Sequence, residues 1–432
     1  MNPIQKLKNQ KSSYPGRLLS QGESPETLLN DQELELEKLE ELTENNKSSL
    51  SKSFGIKLDG KFDRKIAFLE VESPTNNNNI IIRCRHGSLK IGEQLDTDPI
   101  PAPEISFDKI INANIEETPG KMRMFSQKNS QAKKIRGWLL KLQEKLQERQ
   151  HNLSYLIIND RTTFEIPWEM LELKNNDYLG ASLVTVRWQD ITNPEDLDDV
   201  NGLINLEVVE KKCCGKIVAY LNTKDLPSVE KEKEILEVFN PTIYHNVRNF
   251  FDDLDQVNSE VSLVFIASHG FFKQNLSESK LGEEDETQQI SVYDLYQYDF
   301  NFFKKGSIVF MNACNSGRLQ QNDTLKIIDT NPTTGQEYPI GFSTFFLEKG
   351  AEGVIGTLCK VNDEYAAKIS HNFFQEYQKS PHLSVATILK NLRQKAANEY
   401  QGQKSNYENK YLFIFTFMYI YYGNPMAKLE LM

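Results

Sequence analysis

Val261-Ser262-Leu263-Val264-Phe265-Ile266-Ala267-Ser268-His269-Gly270 and Ser307-Ile308-Val309-Phe310-Met311-Asn312-Ala313-Cys314-Asn315-Ser316-Gly317 are two apolar runs that each end on a reactive side chain. Each reads as a short, fully buried strand of a parallel sheet that breaks into a loop on small or polar residues. In open α/β sheets, chemistry collects outside the carboxyl ends of the strands. If the two strands are neighbours, His269 and Cys314 emerge on one rim. They then supply a base and a sulfur nucleophile, the minimum for thiol acyl transfer.

Around this pair the chain alternates strands with helices. Lys216–Leu221 reads as a strand, 228–238 as a helix, Thr242–Tyr244 as a weak strand and 247–256 as a helix. Beyond Cys314 come a helix around Gly341–Lys349, the strand Gly353–Leu358 and long helices at about 363–378 and 382–401. The apolar stretch Tyr411–Tyr422 is too short to span a bilayer; it reads as a buried terminal strand, aromatic near Phe417–Tyr422. Such alternation predicts a mostly parallel sheet covered by helices on both faces. No repeat of helical-solenoid period is evident.

Upstream, Gln131–Gln150 is strongly helical, and Leu153–Ile158 and Leu183–Arg187 are strand candidates. The Pro167-Trp168-Glu169 element reads as a packing corner, with Trp bringing apolar area and Pro fixing the turn. From Phe54 to Phe107 the runs Lys65–Val71 and Ile80–Arg85 flank an Asn-rich turn, and Asp98–Pro103 reads as a proline-rich linker. Residues 1–50 are polar. Within them Asp31–Leu42 is a strong helix former that either docks through Leu36, Leu39 and Leu42 or stays solvated.

The 432 residues allow two or three domains. A balance of 61 acidic against 50 basic residues, net −11, argues against bulk binding of nucleic acid or anionic membrane and favours a soluble protein. The first residues lack the apolar core of a signal peptide. Five cysteines are too few, and odd in number, for a disulfide framework. Cys84, Cys213, Cys214 and Cys359 lack zinc-ligand spacing and read as buried or incidental thiols. The expectation is a cytoplasmic protein with no cofactor and no metal, in which Cys314 stays reduced. No Gly-x-x-x-x-Gly-Lys-Ser/Thr loop is present, which sets a nucleotide switch aside.

Strand-Ser-His-Gly followed by strand-Asn-Ala-Cys-Asn-Ser-Gly resembles the caspase-like clan, and within it the CHAT-domain peptidases related to separase. His269 precedes Cys314 by 45 residues, against about 50 in caspases. Ile166–Leu171, Asp225-Leu226-Pro227, Gly353–Leu358 through Asp363, and Tyr422-Gly423-Asn424-Pro425 match the CHAT pattern in order. The resemblance covers roughly residues 130–432. It implies an α/β, caspase-like, mostly parallel sheet flanked by helices, preceded by a degenerate caspase-like half and a small β-rich N-terminal region. The expected division is a polar arm with a charged helix at 1–53, a β-rich region and linker at 54–125, a degenerate pseudo-peptidase half at 126–210 and a CHAT-like catalytic domain at 211–432.

The resemblance implies a regulated cysteine endopeptidase acting by a His269–Cys314 dyad through an acyl-enzyme on a specific protein substrate, with an activating partner or ligand. It places the oxyanion donors at the backbone N–H groups of Gly270 and Cys314, and a glycine lets a carbonyl approach the backbone. It connects such proteins to prokaryotic cell-death or antiviral defence pathways. An acid that holds a basic side chain of the substrate is expected at Asp363, with Asp225 a second candidate; Asp363 can equally cap the helix that follows it. Cys359 and Lys360 depart from the family, whose members often carry Trp and an acid or Pro there. The segments Lys273–Gln289 and Leu319–Pro339 are either surface loops or gates over the site. The alternative to an enzyme is an idle caspase-like scaffold that binds protein partners.

Overall fold

Where a strand is buried on both faces, apolar side chains need not alternate with polar ones, and this sets the centre of the molecule. The computed structural model describes residues 57–58, 65–72, 79–86, 95–96, 100–101, 117–148, 150–160, 162, 166–188, 207–273, 277–321, 339–400 and 406–431. Gly55–Met432 forms one compact unit. The polar arm of residues 1–53 and most of Leu319–Pro339 lie outside the described residues.

In chain order the main elements are β1 (Ile66–Glu72), β2 (Asn79–His86), α1 (Thr118–Lys128), α2 (Ser130–Glu148), β3 (Tyr155–Asp160), β4 (Val184–Trp188) and β5 (Lys211–Leu221). Next come α3 (Val229–Glu237), β6 (Thr242–Tyr244), α4 (Val247–Asp255), β7 (Val261–Phe271), β8 (Lys280–Gly282), β9 (Gln289–Ser291) and β10 (Ile308–Ala313). The rest are α5 (Phe342–Glu348), β11 (Gly353–Thr357), α6 (Asp363–Lys379), α7 (Val385–Glu399), α8 (Tyr407–Met418), β12 (Tyr419–Gly423) and β13 (Ala427–Leu431).

One sheet runs in the order β6-β5-β7-β10-β11-β12-β4-β3-β1-β2. The first five strands are parallel, and β12 runs antiparallel to β11. Beyond it β4, β3 and β1 are parallel to one another and to β12, β2 pairs antiparallel with β1, and the short strand Leu95–Asp96 pairs antiparallel with β2 at the edge. The sheet is therefore two mostly parallel halves of opposite direction. Helices cover both faces of the half around β10, as the alternation of its side chains shows. Phe310 meets Phe373 of α6 at 5.2 Å between ring centres, whereas Val309 and Met311 join the apolar cluster holding Phe250 of α4 and Phe345 of α5. This is the α/β, caspase-like architecture expected from the sequence.

Three local expectations differ from what the chain does. Tyr411–Tyr422 is not a single strand: α8 takes residues up to Met418 and β12 begins at Tyr419. An apolar run gives no period to tell helix from strand, and here Asn406 decides by capping the helix, accepting from the Asn409 N–H at 2.8 Å. His269 does not sit in a loop. β7 continues to Phe271 because β8 pairs antiparallel with His269–Phe271, so the segment Lys273–Gln289 contains a β8–β9 hairpin. The helix α1 begins inside 54–125, the stretch expected to be a β-rich region and linker. Proline is tolerated in a first turn, where its missing N–H has no intrahelical partner to lose.

The two halves of the sheet meet at a single backbone pair, Tyr422 beside Arg187. Side chains secure that seam. Arg187 donates through Nε to Glu169 Oε1 at 2.9 Å and through Nη2 to Glu169 Oε2 at 2.7 Å, and Nη2 also reaches the Ile166 carbonyl at 2.8 Å. Burial pushes the Glu169 carboxyl up, but Arg187 overrides it and holds the group below its usual range. Arg393 of α7 completes the junction, donating to Thr185 Oγ1 at 2.9 Å and to the Tyr419 carbonyl at 2.5 Å. The Pro-Trp-Glu corner is thus a packing element, as its composition suggests, and its acid is one half of a buried ion pair. Glu169→Ala strands a buried guanidinium and should cost about 3–5 kcal/mol of stability, read from the urea midpoint of unfolding. A loss no larger than that of a surface pair, under about 1 kcal/mol, would show that the seam does not depend on it.

Candidate active site

The carboxyl ends of β5, β7, β10 and β11 form one rim. The register between β7 and β10 pairs Leu263 with Ile308 and ends with Ser268 beside Ala313. The next residues along are His269 and Cys314, so the two stand at the same edge, Cys314 where β10 ends and His269 on the extended end of β7. The approach is close enough that a Cβ on Gly270 would stand 1.9 Å from the Cys314 carbonyl oxygen. Glycine is required at 270 by the packing of the two strand ends, a reason additional to access for a substrate carbonyl.

The two reactive side chains have separate contacts. The Cys314 thiol donates to the Val361 carbonyl at 3.6 Å. Burial pushes its pKa up, opposed by the Val361 contact and by the positive charge of Lys360. The His269 ring is about a quarter exposed, with Nε2 4.0 Å from Glu284 Oε1, and Nε2 has no hydrogen-bond partner. Among the described residues no hydrogen bond joins His269 to Cys314. Catalytic contacts often tighten only with substrate bound, so a pair of this kind need not show the bond at rest.

The two acids singled out from sequence also reach this rim. Asp225, in the loop after β5, accepts from the Glu284 N–H at 2.9 Å and from Asn222 Nδ2 at 3.1 Å. The Glu284 N–H above all, with the Asn222 amide, His269 and Lys224, holds its carboxyl below the usual range against the opposing effect of burial. Asp363 opens α6, but the cap of that helix is Asn362, whose Oδ1 accepts from the Glu364 N–H at 3.0 Å. The Asp363 carboxylate instead accepts from the Ser228 N–H at 2.8 Å, tying the loop after β11 to the start of α3. Lys224 pairs with Glu283 at 2.6 Å across the same region. Among the described residues no cluster of His, Cys, Asp or Glu is arranged to hold a metal. No described helix is long and apolar enough to cross a membrane.

Sequence reasoning missed a buried polar group directly behind Cys314. Asn312 Nδ2 donates to Glu232 Oε1 and, at 2.9 Å, to Ser370 Oγ, while Tyr419 Oη donates to Asn312 Oδ1. Ser370 Oγ also donates to Glu232 Oε1 at 2.6 Å. Asn312 was detectable as the one polar residue of β10. Glu232 shares the inward face of α3 with Val229 and Leu236, yet it hides among the charges of Val-Glu-Lys-Glu-Lys-Glu. Glu232 is 2% exposed, and burial pushes its carboxyl up to about 7, with Ser370 and Asn312 pulling down and Asp363 adding to the rise.

These features define an α/β protein of caspase-like build, with a histidine and a cysteine delivered to one edge of its sheet. The chain belongs to the CHAT domain family, whose profile matches residues 130–412. No curated protein matches it. Among solved structures it is similar to Saccharomyces cerevisiae separase in its complex with securin, with a TM-score of 0.46 and 12% identity over 86% of this chain. It spans 31% of that separase chain. It is also similar to the Arg specific cysteine proteinase gingipain R, with a TM-score of 0.40 and 10% identity over 73% of this chain and 68% of the other. A complex of the Porphyromonas gingivalis RgpB pro- and mature domains gives a TM-score of 0.38 at 9% identity, over 76% of this chain and 73% of the other.

The Glu232 carboxyl makes stability depend on pH in a fixed direction. Its folded pKa of about 7 lies above the ordinary glutamate value of 4.5. Between those values the folded state holds a proton that the unfolded state has lost, so stability falls as pH rises through this window and levels off above it. Glu232→Gln removes the ionisation. The variant should match the parent near pH 4 and exceed it near pH 8 by at most about 3 kcal/mol, measured by urea unfolding at both pH values.

Proposed function

We propose that this chain is a regulated cysteine endopeptidase in which Cys314 is the nucleophile and His269 the base. The observation that carries this reading is the β7–β10 register, which aligns Ser268 with Ala313 and so puts His269 and Cys314 next along adjacent strands at one carboxyl edge. In the proposed reaction His269 takes the thiol proton and the sulfur attacks the scissile carbonyl. The backbone N–H groups of Gly270 and Cys314 receive the oxyanion. The C–N bond then breaks, the amine leaves with the proton from His269, and water hydrolyses the thioester to free the thiol. Asp225, with its depressed carboxyl pKa, and Asp363 would receive a basic side chain of the substrate.

The proposed division is an arm at 1–53, a β-rich region at 54–125, a degenerate half at 126–210 and a catalytic domain at 211–432. The setting is a prokaryotic cytoplasm, where an unrestrained endopeptidase harms its host. The chain is therefore held latent until a protein partner or ligand binds its competent state more tightly than its resting state, in cell-death or antiviral defence signalling. The alternative of an idle scaffold is favoured by one observation: the Cys314 thiol rests on the Val361 carbonyl with its pKa raised.

Cys314→Ala and His269→Ala should each abolish cleavage of a protein substrate without unfolding the chain. The double variant should be no worse than either single one, since groups acting as a unit fail together. Retained cleavage by Cys314→Ala would move the chemistry elsewhere. Latency has its own readout. Removing residues 1–50, or cutting within 319–339, should raise turnover of a peptide substrate at least tenfold by about 1.4 kcal/mol of released restraint. Equal turnover by intact and altered chains would show that neither segment is the restraint.

A further inference from the structure

The Asn312 side chain uses both its amide N–H donors and accepts one hydrogen bond at Oδ1, so it binds three partners from three other elements. These are Glu232 of α3, Ser370 of α6 and Tyr419 of β12. The amide leaves β10 on the face of Phe310, toward α6. Cys314 follows two residues on, about 7 Å further along at strand spacing, and its thiol reaches the Val361 carbonyl in the loop before α6. The strand end that delivers Cys314 is thus clamped by an amide whose strongest partner is an ionisable group.

We propose that Glu232 is a positioning residue for Cys314: through Asn312 it fixes the end of β10, and its proton sets the charge that stands behind the thiol. The proposal rests on reading Cys314 as the nucleophile. With the carboxyl neutral, the amide is held and nothing opposes a thiolate. With the carboxyl ionised, a buried negative charge stands behind β10 and works against thiolate formation, as like charges do in poorly solvated sites. Among the described residues no cation pairs with Glu232. The groups facing it are the Ser370 hydroxyl from α6, the Asn312 amide from β10, the Tyr419 phenol from β12 and the Asp363 carboxylate at the head of α6. Burial keeps the Tyr419 phenol protonated, and Asp363 adds like charge. The proton on Glu232 therefore exchanges in the neutral range, where an enzyme of this kind would work.

The test reads the thiol directly and needs no substrate. Iodoacetamide alkylates Cys314, the sulfur taking the carbamidomethyl group as iodide leaves, and the labelled peptide is quantified by mass in the full chain from about pH 5.5 to about pH 9. In the parent, the rise of rate with pH should show a break where Glu232 ionises. Glu232→Gln should lack the break, coinciding with the parent at the acid end and running up to about tenfold faster at the alkaline end, the effect of one unit of thiol pKa. Ser370→Ala removes a hydrogen bond that favours the charged carboxyl, so the break should move to higher pH. Parallel profiles for parent and Glu232→Gln, or a constant offset at every pH, would overturn the proposal, because a merely structural role predicts one or the other. If Glu232→Gln does not fold, Ser370→Ala decides: a break that stays in place overturns it. A chain that alkylates as described but cuts nothing would refute the peptidase reading and leave this inference standing.

Discussion

Arg187 and Glu169 lose water together, and the rest of the molecule is arranged around that requirement. Neither tolerates burial alone, because an isolated ion in the protein interior costs several kcal/mol after relaxation. Their two-point contact is what permits a charged strand residue at the middle of a long sheet. β4 and β12 share a single backbone pair there, so ladder hydrogen bonds contribute little at the join. The guanidinium of Arg393, held by Thr185 on one side and the Tyr419 carbonyl on the other, spans the two halves with side-chain bonds instead. A polar seam of this kind fixes relative position, since every donor has one acceptor that suits it. A greasy seam would let the halves slide.

Position at the seam governs position at the rim. β12 lies beside β11 and sends Tyr419 to Asn312; β11 continues into the loop that carries Cys359, Val361 and Asp363. The loop's backbone holds the turn after β10, where the Asn315 N–H donates to the Cys359 carbonyl at 3.0 Å and the Gly317 N–H to the Thr357 carbonyl at 2.8 Å. Asn315 adopts a left-handed φ of 58°, a conformation asparagine reaches more easily than most residues. Cys314 therefore sits at the start of a tightly pinned turn. What is free to change is the thiol rotamer and the His269 ring, not the backbone beneath them.

Much of this was legible in the sequence, for a physical reason. Val261–Ser268 and Ile308–Ala313 are buried at every position, and a strand without polar alternation announces a central parallel sheet. Glu232 was not legible, because a helix of alternating Glu and Lys looks solvated unless one knows which turn faces the sheet. The rest geometry of Cys314 was beyond reach as well: the acceptor is a backbone carbonyl of Val361, which any residue type would supply. The helix α8 escaped because an unbroken apolar run carries no period. The β8 pairing that extends β7 past His269 depends on a hairpin distant in sequence, and only assembled coordinates reveal it.

The order of strands has a consequence for biosynthesis. β4 finishes at Trp188, yet its neighbour β12 begins only at Tyr419. On a ribosome adding about 5–20 residues per second, the open edge of β4 waits on the order of ten seconds or more for its partner. Throughout that interval Arg187 stands at an unpaired strand edge, the kind of surface on which stray chains nucleate aggregates. A charged residue at that position protects the nascent half while it waits, and becomes its fastening once the last strand arrives.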